Sequence, residues 1–172
     1  MGAEVSNNSI RLAVAGALLA GAIGAGVYVA GRHQPAPQVT FQTLQQQSFS
    51  LTQWRGRVVL VNFWATSCPS CIREMPAMTD TWRKYHHRGF ELVAVAMEYD
   101  PPEYVMNYAQ SNPLPFTVAL DRQGDIARAF GGILGTPASF VIDKQGRIVQ
   151  RYLGEPDFRQ LHQLIEARLQ ES

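Results

Sequence analysis

The 172-residue chain carries two cysteines, Cys68 and Cys71, in the stretch ATSCPSC (65–71). Thiols three positions apart can form half a metal site, a structural staple or a redox pair. Zinc takes four ligands, or three beside an open position. The histidines lie far off: His33 follows the first apolar run, His86 and His87 are adjacent and would diverge on a helix, and His162 is near the C-terminus. They read as solvated polar residues, and no metal is expected. A staple is a weak use as well, because the entropy a disulfide removes from the unfolded chain grows with the loop it closes. Residues i and i+3 of a helix have Cβ atoms about 5–6 Å apart, and local adjustment brings such a pair to bonding distance. A Cys68–Cys71 bond that forms readily and stabilises little suits reversible chemistry.

Such chemistry needs one activated, accessible thiol and one sheltered thiol, and the flanking sequence supplies an element for each. Val58, Val59, Leu60 and Val61, followed by Phe63 and Trp64, are apolar on both faces, as in a buried central strand. Beyond the cysteines, Met75, Met78, Trp82 and Tyr85 keep helical spacing up to Gly89, with a kink expected at Pro76. Pro69 fits the first helical position, where its missing N–H costs nothing. Cys68 then stands at the helix N-terminus, where free N–H groups and the helix dipole favour a thiolate. Cys71, one turn in, faces the core. Cys68 is therefore the expected nucleophile towards a partner's disulfide, and Cys71 the resolving thiol that releases the product.

The rest of the chain alternates strand-like and helix-like segments. Strands are expected at 90–97, in PFTVALD, in ASFVID and in RIVQRYLG, and a short hairpin within 39–53. Helices are expected after Pro101-Pro102, in DIARAF, and through Phe158, Leu161, Leu164, Ile165 and Leu169. This order describes an α/β domain, a central mixed sheet flanked by helices, with the cysteines at the carboxyl edge of a strand where reactive groups gather. Upstream, residues 12–31 form 20 positions without a charge, bracketed by Arg11 and Arg32. At about 1.5 Å per residue such a helix spans roughly 30 Å, the hydrocarbon thickness of a bilayer. With Tyr28 and Arg32 at one flank it reads as a transmembrane anchor in preference to a cleaved signal sequence. Residues 1–11 are then a short tail, 32–38 a linker and 39–172 the folded domain. The 15 basic and 14 acidic side chains interleave without a basic stripe, so nucleic acid is not an expected partner.

Three segments, VNFWATSCPSC (61–71), REMP (73–76) and GTPASFVID (135–143), carry a family resemblance. Over about residues 40–170 the chain resembles the thioredoxin-like superfamily, and within it the membrane-anchored TlpA/ResA type of thiol–disulfide oxidoreductase. The resemblance implies a thioredoxin-like fold and no cofactor beyond a redox-active disulfide. It also implies that Pro137 is cis and faces the disulfide, with the backbone of Thr136 pairing a substrate strand. Protein thiols and disulfides become the expected partners, with a membrane electron donor of the DsbD/CcdA type. The implied place is a bacterial inner (cytoplasmic) membrane, crossed once, with the catalytic domain in the periplasm or extracytoplasmic space. Relatives often act as reductants, for example in cytochrome c maturation.

Two positions depart from the wider pattern. Thioredoxin carries a buried Asp in the strand before the cysteines, where this chain has Asn62, which cannot take up a proton near neutral pH. Glu74 lies three residues after Cys71 on the same helix face. Spacing alone leaves it as either an exposed helix acid or a proton shuttle for the resolving thiol; the resemblance favours the shuttle. Ser67 stands where many relatives have Trp, which marks it as a residue of the partner-binding surface. Trp54, Trp64 and Trp82 are assigned to packing. Two other readings compete with the oxidoreductase. A peroxiredoxin-type thiol peroxidase would need Thr three residues before its cysteine, whereas Thr66 is two before Cys68. A copper-binding or protein-binding module would need a further soft ligand, and helix packing explains Met75 and Met78 better.

Overall fold

A computed structural model describes residues 34–171. The apolar segment 12–31 lies outside the described residues, and among the described residues no helix is long and apolar enough to cross a membrane. The domain is built on one mixed sheet in the order β1-β8-β7-β4-β5-β6-β2-β3. Its strands are β1 (Gln34–Pro35), β2 (Thr40–Thr43), β3 (Ser48–Ser50), β4 (Val58–Trp64), β5 (Phe90–Ala96), β6 (Thr117–Leu120), β7 (Ala138–Ile142) and β8 (Arg147–Leu153). The helices are α1 (Pro69–Tyr85), α2 (Pro102–Ser111), α3 (Asp125–Ala129) and α4 (Phe158–Gln170).

β4, β5 and β6 run parallel, and α1 and α2 supply the crossovers that parallel pairing requires. β7 pairs antiparallel with the other side of β4, so every residue of β4 is buried. The period of two along β4 divides its side chains between two cores. Val58, Leu60 and Trp64 join Met75, Met78, Tyr85, Leu161 and Ile165 on the face packed by α1 and α4. Val59, Val61 and Phe63 join Phe41, Ile126, Phe130 and Phe140 on the other. Each such side chain contributes about 1.5–3 kcal/mol by leaving water. Asn62 has the parity of the α1 face and is the polar member of that row.

The thioredoxin-like arrangement expected from the sequence is present, including the hairpin of β2 and β3. One boundary differs. Residues 34–36, expected as linker, belong to the folded domain: β1 pairs antiparallel with β8, and the Ala36 N–H donates to the Gly146 carbonyl at 2.9 Å. An extended, proline-containing segment suits an open sheet edge, and docking there leaves Ala36 only 5% exposed. α1 continues through Pro76, whose side chain is exposed. A single turn of 3-10 helix then leads to Gly89, whose φ of 96° ends the helix in the left-handed region that glycine tolerates.

Candidate active site

β4 delivers the chain to the N-terminus of α1, and the turn between them holds the reactive pair. The Cys68 N–H donates to the Ala65 carbonyl at 3.1 Å, closing a turn over 65–68. Cys68 is the extended N-cap residue of α1 and Pro69 the first helical residue. Cys68 and Cys71 are joined as a disulfide. The Cys71 N–H points at the Cys68 Sγ at 3.2 Å, and the Ser70 Oγ lies 3.4 Å from the same sulfur. In the reduced protein these donors would face a thiolate and favour its charge. Cys68 is half-buried whereas Cys71 is fully enclosed, so one sulfur is open to a partner and the other is not.

The opposite lip comes from the loop entering β7. The Thr136–Pro137 peptide bond is cis, and the Thr136 carbonyl oxygen lies 3.5 Å from the Cys68 Sγ. The Gly154 N–H donates to the Pro137 carbonyl at 2.8 Å, tying this loop to the end of β8. The Tyr99 hydroxyl lies 3.3 Å from the Thr136 Oγ1. Around this lip three apolar side chains stand in solvent, Tyr99, Leu153 and Leu134, the last of them 97% exposed. Ser67 is exposed on the turn itself.

Glu74 lies one turn beyond Cys71 and is completely buried. Asn62 reaches it from β4, donating from Nδ2 to Oε1 at 2.9 Å and sharing that amide with the Ser139 Oγ at 3.1 Å. Glu74 Oε2 has no hydrogen-bond partner. Burial drives the Glu74 pKa up from 4.5 to about 7, the Asn62 hydrogen bond opposes the rise, and the negative charge of Glu155 adds to it. A carboxyl so poised is divided between its acid and its base near neutral pH, the condition for accepting and returning a proton. Asn62 does not replace the proton-binding Asp of thioredoxin; it orients Glu74.

Sequence reasoning passed over several residues of this constellation. Ser139 is paired with Asn62 across β4 and β7, a contact that only strand register reveals. Leu134 sits between glycines in GGILG (131–135), and an apolar residue on so sparse a loop was a readable sign of a surface contact. Thr66 is held by Asp100, which accepts its N–H at 2.7 Å and its hydroxyl at 2.5 Å. Met75 and Met78 are core residues and Trp64 is fully enclosed. The distant histidines are less solvated than expected: His162 contacts the Thr81 hydroxyl at 2.9 Å, and His86 stacks on Trp82 with ring centroids 4.0 Å apart.

A family model described as Redoxin matches residues 32–165. The thiol–disulfide oxidoreductase ResA of Bacillus thuringiensis subsp. konkukian is 33% identical over 131 residues, 76% of this chain and 75% of that protein. ResA of Geobacillus thermodenitrificans is likewise 33% identical over 132 residues, 77% of this chain and 75% of its own. Among solved structures, a thiol:disulfide interchange protein of the thioredoxin family from Chlorobium tepidum superposes with a TM-score of 0.74 at 30% identity, covering 81% of this chain and 98% of that one.

Proposed function

Since the chain belongs to the Redoxin family and is a thiol–disulfide oxidoreductase, we propose that it acts as a membrane-tethered, extracytoplasmic reductant of protein cysteine pairs. One observation carries the roles within the pair: Cys68 is half-open at a helix N-terminus with the Cys71 N–H 3.2 Å from its sulfur, while Cys71 is enclosed on the face that carries Glu74. In the reduced protein the Cys68 thiolate attacks one sulfur of the partner's disulfide and expels the other as a thiolate. Glu74 takes the Cys71 proton, and Cys71 then attacks Cys68 Sγ in the mixed disulfide. The partner leaves with both cysteines reduced, and two electrons have passed to it as the Cys68–Cys71 bond forms. Thr136 and Pro137 offer backbone beside the sulfur where a partner strand can lie, and Ser67 borders the same surface.

The uncharged run 12–31 supports a bilayer anchor ahead of the domain. An enzyme placed there needs electrons from across the membrane, which a donor of DsbD/CcdA type would supply. Cytochrome c maturation is a pathway such a reductant would serve.

The test is a Cys71→Ala protein incubated with extracytoplasmic extract, together with the reduction potential of the wild-type pair. Partners should accumulate as mixed disulfides on Cys68, and the potential should lie towards the thioredoxin end of the range, near roughly −270 mV. Trapping with a potential near that of a strong oxidant, roughly −120 mV, would reverse the direction of transfer; no trapped partner would remove the exchange with protein thiols.

A further inference from the structure

The loop that follows β5 touches both lips of the site. Its Tyr99 hydroxyl meets the Thr136 side chain at 3.3 Å, and the next residue, Asp100, engages Thr66 on the cysteine side. Asp100 is buried although it has no cationic partner among the ion pairs of the described residues. Its two oxygens are used by a single residue, one taking the Thr66 N–H at 2.7 Å and the other the Thr66 hydroxyl at 2.5 Å. The loop is anchored in turn, with the Asp100 N–H on the Met97 carbonyl at 2.9 Å and the Met97 N–H on the Trp64 carbonyl at 3.0 Å. Thr66 is the second residue of the turn 65–68, whose last residue is Cys68.

A carboxylate brought close to a thiolate opposes its charge, so burying one here works against the chemistry unless its position does something else. What it does geometrically is fix the turn. With Thr66 clamped at two points and the Cys68 N–H bonded to Ala65, the backbone that carries Cys68 is fixed at the start of α1. We propose that Asp100 is a positioning residue of the exchange reaction: through Thr66 it holds the Cys68 turn in the geometry that keeps the sulfur on the helix N-terminus. This rests on the reading of Cys68 as the nucleophile.

The two hypotheses separate in one experiment, the pH dependence of iodoacetamide alkylation of the reduced full-length protein, with the modified cysteine identified by mass spectrometry. In the wild type Cys68 should react first; reaction at Cys71 instead would remove the nucleophile assignment itself. In Asp100→Asn the Cys68 midpoint should move up by about one pH unit, so alkylation well below the midpoint slows about tenfold. Loss of the negative charge alone would move the midpoint down, and a purely structural role would lower the melting temperature and leave the midpoint fixed. Either of those results overturns the proposal. Thr66→Val decides the matter if Asp100→Asn does not fold. It keeps every ionisable side chain of the surrounding elements: Cys71, Arg73 and Glu74 on α1, Glu98, Tyr99 and Asp100 after β5, Asp121 and Arg122 after β6, and Glu155 after β8. It removes only the hydroxyl bond, and should raise the midpoint in the same direction with about a threefold slowing; an unchanged midpoint there refutes the role.

Discussion

Replacing Glu74 with glutamine removes a carboxyl whose ionisation the fold resists. The side chain is fully enclosed, only one of its oxygens has a hydrogen-bond donor, and its pKa is carried from 4.5 to about 7. In the unfolded chain the same group titrates near its ordinary value. At 1.36 kcal/mol per unit, the gap corresponds to about 3 kcal/mol between the ionised and neutral forms. The folded protein holds this proton more tightly than the unfolded chain does. Its stabilising contribution is therefore complete below about pH 4.5, fades as the pH rises, and is lost above about pH 7. Glutamine has no such titration. Urea unfolding of both proteins in the oxidised state, where the disulfide silences the thiols, measures the effect at intervals from pH 4 to pH 9. The stability of Glu74→Gln minus that of the wild type should grow with pH by about 3 kcal/mol, most of it between pH 5 and pH 7. Subtracting the two curves cancels His162, whose pKa burial lowers, and the tyrosines, whose pKa values it raises. A difference that stays constant over the whole range would refute the argument that Glu74 is held neutral by burial.

Asn62→Ala removes the one interaction that lowers the Glu74 pKa, so the carboxyl should titrate above about 7; an NMR titration of the oxidised protein checks this, and a downward movement would contradict it. Leu134→Ser alters a side chain with almost no buried surface; its melting temperature should match the wild type while kcat/KM for a protein disulfide falls about tenfold, the lower end for losing one apolar contact, and turnover of a small disulfide is unaffected.

The sequence was most readable where one residue type served one purpose. β4 and β5 announced themselves through runs that are apolar apart from Asn62 and Glu91, α1 through helical spacing, and Pro69 between the cysteines marked where the helix begins. The α/β class followed from the alternation of elements. The proton-handling group was only half legible. Helical spacing placed Glu74 near Cys71 but could not bury it, because burial depends on β4, β7 and Asn62 closing over that face. Counting parity along β4 would have put Asn62 on the α1 face; its amide's second contact, Ser139, sits 77 positions away and becomes visible only once β7 is registered against β4. The same holds for Asp100 and Thr66, separated by 34 positions and joined by the return of β5 alongside β4. The docking of residues 34–36 was hidden for a different reason: a short polar segment with prolines has the same composition whether it floats or pairs with a sheet edge.

The two ends of the sheet have a further meaning for a thiol–disulfide oxidoreductase. Among the described residues β1 contributes Gln34 and Pro35, the latter with no N–H to give, and β3 at the other end is three residues long. A wide sheet with long open margins would invite the very chains it processes to add as extra strands, seeding aggregates. Here each end strand is short, and Pro35 withholds one donor from the margin beside β8. The brevity of β3 and the missing donor at Pro35 reduce what these two end strands can offer a passing chain.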